Sequence, residues 1–137
     1  MRLWHKDLIS VLPRQQLLSQ WRECCCIARN ISINGTPNHI LVNKILDYPI
    51  IEFIIYTSKV HEEMTVRGYK CDWSKFMQWL NPSILEIPLE YIFKGWHNNR
   101  YLKQCLYNLQ EKYDCGGISD KEWYRICQFV VDKCIIM

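Results

Sequence analysis

Acidic side chains are almost missing from the first third of this 137-residue chain: between Asp7 and Asp47 the only carboxylate is Glu23. Long apolar runs are missing too. The longest, Tyr48 to Tyr56, is broken by Glu52 and is far too short to cross a bilayer. Arg2, His5 and Lys6 are not followed by the apolar core of a secretory signal, so a cytoplasmic location and reduced thiols are the expectation. Eight cysteines are present, yet none stand in C-x-x-C spacing and the four histidines complete no zinc knuckle. Cys24, Cys25 and Cys26 are consecutive, so on a helix their side chains fan over about 200° and cannot converge on one metal ion. They read as small hydrophobes. His61-Glu62-Glu63 begins like a zinc-protease helix but lacks the second histidine. No internal repeat, low-complexity tract or linker divides the chain.

What is there is an aromatic-rich core in the making. The apolar fraction is 49% and six residues are tryptophan, enough for one domain over residues 1–137. The net charge of +3 is unevenly placed. Residues 1–44 carry six Lys/Arg against two acids, and the remainder carries eleven against twelve. That asymmetry points the amino-terminal segment toward an anion, of which nucleic acid is the common one.

Periodicity and caps predict an all-α fold. Pro13 opens a helix on which Leu17, Leu18, Trp21, Cys25 and Ala28 share the core face, with Arg22, Glu23 and Arg29 turned outward. A second helix is expected over His39–Leu46, with Ile40, Leu41, Val42, Ile45 and Leu46 inward. A third follows from Pro49 to Val66 and ends at Arg67-Gly68, although Ile51 and Ile55 leave a strand open. Asp72 caps a short helix through Leu80, broken at Asn81-Pro82, and Ser83–Trp96 is irregular. Asn98–Tyr113 reads as an amphipathic helix ended by Gly116-Gly117. Ser119 and Glu122 form a capping box for a last helix through Trp123, Ile126, Phe129, Val130 and Cys134.

The candidate site is the stretch 1–29, where Trp21-Arg22-Glu23 stands among arginines near a free amino terminus. Removing a base from DNA requires a nucleophile for the sugar C1′ and a group that supports positive charge on the ribose. An amine serves the first purpose, because the Schiff base it forms permits strand scission by β-elimination. An α-amine has a reference pKa of about 8 against about 10.4 for lysine, so near neutrality it is far more often uncharged. Met1 supplies that amine, and Glu23 can stabilise the sugar cation or move protons.

Arg2, the Trp21-Arg22-Glu23 triplet, the Arg67-Gly68-Tyr69 turn and the late Trp123-Tyr124-Arg125 segment resemble pyrimidine-dimer DNA glycosylases of the phage endonuclease V type. The runs MRLWH, LPRQQLL, QWREC and NLQEKYDCGG are similar to small bacterial proteins grouped with that family. The resemblance implies a compact helical monomer that acts on double-stranded damaged DNA by base removal and abasic-site cleavage. It implies no metal and no organic cofactor, no membrane partner, and a bacterial or phage-type, nucleoid-associated setting. Carried over residue by residue, Met1 and Glu23 are catalytic, with Met1 retained because Arg2 is bulky. Arg2, His5, Arg22, Arg29, Trp123, Tyr124 and Arg125 contact DNA. Cys26 stands where the family has a further arginine, and Arg29, one turn on, takes its place. The plainer readings stay open: a helical module that binds DNA or protein without chemistry, a thiol sensor at Cys24–Cys26, a structural His5, and a Trp123 packed under Tyr101.

Overall fold

The computed structural model describes residues 1–81 and 87–137, and every regular element among them is helical. In chain order these are a 3-10 turn at Lys6–Val11, α1 (Arg14–Asn34), a 3-10 turn at Asn43–Asp47, α2 (Ile50–Val66), α3 (Ser74–Met77), a 3-10 turn at Leu89–Tyr91, α4 (Asn99–Asp114) and α5 (Asp120–Asp132). No helix among the described residues is long and apolar enough to cross a membrane.

Helix α1 follows Pro13 as expected, and Gly35 ends it in the left-handed conformation, returning its N–H to the Ile31 carbonyl. Its buried face is Leu17, Gln20, Trp21, Cys24, Ile27 and Ala28. The stripe is rotated from the expected one: Leu18 and Cys25 are only half-buried, while Gln20 is driven fully inside. Helix α1 packs against both α2 and α3, and Gln20 is drawn inside by its bonds to Trp4, Arg2 and Tyr56. Cys24, Cys25 and Cys26 are buried, half-buried and exposed in turn, as the fan requires.

The helix expected over His39–Leu46 is not there. The segment makes a turn and then the 3-10 turn from Asn43, and only Val42 and Ile45 of its apolar residues are buried. Asn43 Oδ1 accepts from the His39 N–H at 3.0 Å, and Ile45 N–H bonds only three residues back, to Val42. A short polar side chain that satisfies the backbone locally competes with the helix ladder. Helix α2 runs over the expected Ile50–Val66, so the strand alternative falls. Arg67 at its C-cap donates to the Leu12 carbonyl at 2.8 Å and the Ser10 carbonyl at 3.1 Å, bolting the first 3-10 turn to the end of α2.

Asp72 Oδ1 accepts the Ser74 N–H at 3.0 Å, but the N-cap position of α3 is Trp73, one residue later than expected, and the helix closes after Met77, short of Leu80. The break expected at Asn81-Pro82 and the start of the irregular Ser83–Trp96 stretch fall partly on residues 82–86, outside the described residues. Beyond them Phe93 adopts φ 54°, unfavourable for a residue with a Cβ. Its ring is fully buried among Tyr48, Tyr56 and Trp96, and Glu52 Oε1 takes its N–H at 2.7 Å, which holds the conformation.

The Asn98 side chain caps α4 through the Tyr101 N–H, and the Ser119–Glu122 capping box is reciprocal. Glu122 has a second partner: its Oε2 accepts the Arg14 N–H at 2.7 Å, so one carboxylate caps α5 and α1 together. Trp123 stacks on Tyr113 at 5.0 Å and 10°, not under Tyr101. Cys134, expected on the apolar face of α5, lies past the helix end and is exposed.

Candidate active site

The first five residues run between α1 and the aromatic cluster of α2 and α4, and one buried amide fixes them there. Gln20 Oε1 accepts from the Trp4 N–H at 2.8 Å and from the Tyr56 hydroxyl at 3.0 Å. Its Nε2 donates to the Arg2 carbonyl at 3.0 Å and to Glu23 Oε2 at 3.4 Å. All four hydrogen-bonding positions of the amide are therefore used, which is what a fully buried glutamine requires. The single Tyr56 hydroxyl proton is shared between Gln20 Oε1 and the Trp4 carbonyl, the latter closer at 2.6 Å, and the Tyr101 hydroxyl donates to the Leu3 carbonyl. Residues 2 to 4 are thus held by backbone hydrogen bonds as well as by the burial of the Leu3 and Trp4 side chains.

The result is a cavity of about 290 Å³ lined by Met1, Arg2, Trp4, Gln15, Gln16, Ser19, Glu23 and Lys112. Met1 and Glu23 share it. Glu23 reaches it because it stands one turn beyond Gln20 on α1, and the Gln20 amide steadies its carboxylate. Met1 is 42% exposed, so the terminus is open to a large substrate. Arg22 is exposed beside the cavity and donates to the Ser19 hydroxyl at 3.3 Å. Arg2 stacks its guanidinium over Trp4, 5.2 Å from the ring centroid. A carboxylate, a terminal amine and three cations around one cavity suit a substrate that carries phosphate and develops positive charge at carbon.

The other expected site residues are distributed elsewhere. Arg29 is two turns along α1, with its guanidinium 6.0 Å from the Trp79 ring. Tyr124 and Arg125 line a separate concavity of about 460 Å³ with Gln128, Asp132 and Lys133. Trp123 is committed to Tyr113. His5 is only 2% exposed: its Nδ1 accepts from the Asp7 N–H at 3.1 Å and its ring stacks on His97 at 5.1 Å. Burial lowers the His5 pKa from its ordinary value, with Asp7 pulling the other way. Lys6 is no surface cation either. Its ammonium is buried between the carbonyls of Glu90 and Ile92, each at 2.8 Å, and burial lowers its pKa.

Sequence reasoning missed Gln20 and Lys112. Gln20 had a signal, a polar residue three after buried Leu17 and four before buried Cys24 on α1. Lys112 belongs to the NLQEKYDCGG run, three residues after buried Leu109, and only the tertiary packing of α4 brings it to Glu23.

The model of the pyrimidine dimer DNA glycosylase family matches residues 1–77, and the chain belongs to that family. The matched stretch includes Met1, Arg2, Gln20, Arg22, Glu23 and Tyr56, while Lys112 and Trp123–Arg125 lie beyond it. No curated protein and no solved structure matches the chain.

Proposed function

We propose that this member of the pyrimidine dimer DNA glycosylase family excises a damaged pyrimidine from duplex DNA and then cleaves the strand at the resulting abasic site. The Met1 α-amine, in its neutral form, attacks the sugar C1′ as the glycosidic bond breaks and its electron pair leaves with the base. Opening of the sugar ring converts the adduct to an iminium. Loss of a C2′ proton then expels the 3′ phosphate, and water releases the amine. Glu23 supplies negative charge beside C1′ as the sugar becomes cationic, and carries protons during ring opening and elimination. Arg2, Arg22 and Lys112 hold the flanking phosphates.

The observation that carries this reading is the shared cavity of Met1 and Glu23, beside which the Gln20 amide bonds both the Glu23 carboxylate and the carbonyl of Arg2, the residue next to Met1. Family membership supports the class of substrate, and the low acid content of the first 46 residues agrees with a polyanionic partner. Borohydride trapping on duplexes that carry a cyclobutane dimer or an abasic site tests it. Native protein forms a covalent adduct, whereas acetylation of the terminus abolishes it. Glu23→Gln removes base excision from the dimer duplex. Absence of any adduct with intact DNA binding refutes the enzymatic reading and leaves a binding module.

A further inference from the structure

A second concavity, about 520 Å³, adjoins the cavity of Met1 and Glu23, and Arg2 lines both. One wall is the start and middle of α4, through Arg100, Tyr101, Gln104 and Tyr107. The other is the turn that replaces the expected second helix, through Ile40, Leu41 and Lys44. Three of the lining residues are cations (Arg2, Lys44 and Arg100) and none is acidic. Lys44 and Arg100 are exposed and make no ion pair or side-chain hydrogen bond among the described residues. Arg2 is stacked over Trp4, but no contact among the described residues offsets the charges of Lys44 and Arg100 beside it, so an external anion is the natural counter-charge.

The remaining lining narrows the class of anion. Tyr107 is 51% exposed, and its hydroxyl and the Gln104 amide have no partner among the described residues, so both are free to meet phosphate oxygens. Ile40, 84% exposed, and Leu41 offer apolar surface suited to deoxyribose rather than to a free inorganic ion. Continuity decides the occupant: a strand whose sugar lies between Met1 and Glu23 leaves the cavity past Arg2, into this groove.

We propose that the groove carries the phosphodiester backbone of the lesion-bearing strand on one side of the excised nucleotide, with Lys44 and Arg100 each neutralising a phosphate. The proposal rests on the function assigned above and extends the DNA interface onto α4 and the 40–44 turn, outside the arginines of α1.

The test is fluorescence anisotropy with a duplex containing a tetrahydrofuran abasic analogue, which cannot form a Schiff base, titrated across a range of salt. Lys44→Ala and Arg100→Ala each weaken binding about tenfold at low salt and lower the salt slope by about one, the double variant by about two. Lys121→Ala on α5, which lines no part of the groove, leaves affinity and slope as in the wild type. Thermal unfolding of each variant separates a lost phosphate contact from a lost fold. Wild-type affinity and slope in the Lys44 and Arg100 variants overturn the groove and leave the excision reading standing. Weaker binding with an unchanged slope also overturns it. Failure of the wild type both to bind the duplex and to form a borohydride adduct sinks the excision reading and the groove with it.

Discussion

Gln20 holds Trp4 in place by a hydrogen bond of 2.8 Å between the side-chain oxygen of one and the backbone N–H of the other, both buried. The same amide reaches the Arg2 carbonyl and the Glu23 carboxylate, so the position of the amino terminus and that of the acid are set by one side chain. Gln20→Leu keeps the volume and removes all four bonds. It leaves the Trp4 N–H buried without a partner and costs about 2–3 kcal/mol of stability. Chemical denaturation reads that loss. Borohydride trapping at a temperature where the variant is folded falls with it, because the terminus no longer has a fixed place beside Glu23. Trapping at the wild-type rate contradicts the positioning role.

Two tyrosine hydroxyls do the same work more weakly. Tyr56→Phe removes the one hydroxyl proton shared by the Trp4 carbonyl and Gln20 Oε1, and Tyr101→Phe removes the donor to the Leu3 carbonyl. Each costs about 1–2 kcal/mol. The two add less than perfectly in a double-mutant cycle, since both restrain the same short segment. Strict additivity contradicts a shared restraint.

Acid lowers the stability of this fold through its buried histidines. Burial, followed by repulsion from His5 and Lys6, lowers the His97 pKa to about 2. The unfolded chain takes up this proton near pH ~6.5 and the folded one does not. The stabilising contribution is therefore complete above pH ~6.5 and declines as pH falls below it, by up to about 1.4 kcal/mol per pH unit from this one group. The His97 Nδ1 accepts the Lys6 N–H at 3.0 Å, a role that an asparagine oxygen can keep. His97→Asn lowers stability at neutral pH but flattens its decline between pH 6.5 and 4. Equal slopes in the two proteins contradict the assignment.

Much of the fold was legible because its signals are local. Pro49 and Gly68 bound α2, Asn98 opens α4, and Ser119 with Glu122 opens α5, each through contacts within a few residues. The errors come from contacts that span the chain. Lys6 counted toward the basic amino-terminal segment, whereas its ammonium is buried against the carbonyls of Glu90 and Ile92, far along the chain. Gln20 read as unremarkable because its partners are residues 2, 4, 23 and 56. The His39–Leu46 pattern has helical spacing, yet Asn43 satisfies the His39 N–H from its side chain, and three of the five apolar side chains are left exposed. Within the candidate site, Met1 and Glu23 were nameable from their chemistry, whereas Lys112 required the packing of α4.

Glu122 tests the connection between the end of the chain and its beginning. Burial raises its pKa, but hydrogen bonds from the Arg14 N–H and from Ser119 outweigh this and leave it below the ordinary carboxylate value. Its contribution is therefore present above the unfolded carboxylate pKa and lost as pH falls through the folded one. Glu122→Ala uncaps two helices and costs about 1–3 kcal/mol. A loss under about 0.5 kcal/mol in urea denaturation contradicts the double cap.

Lys112 provides the sharpest question about the chemistry, because it is a second amine in the cavity of Met1 and Glu23. The direct measurement is peptide mapping by mass spectrometry of the borohydride-trapped adduct formed on abasic-site duplex DNA. The account predicts a single modified peptide, with the reduced deoxyribose remnant on the α-nitrogen of Met1, and the same adduct in Lys112→Ala. A remnant on the Lys112 side chain, with the Met1 amine unmodified, contradicts it.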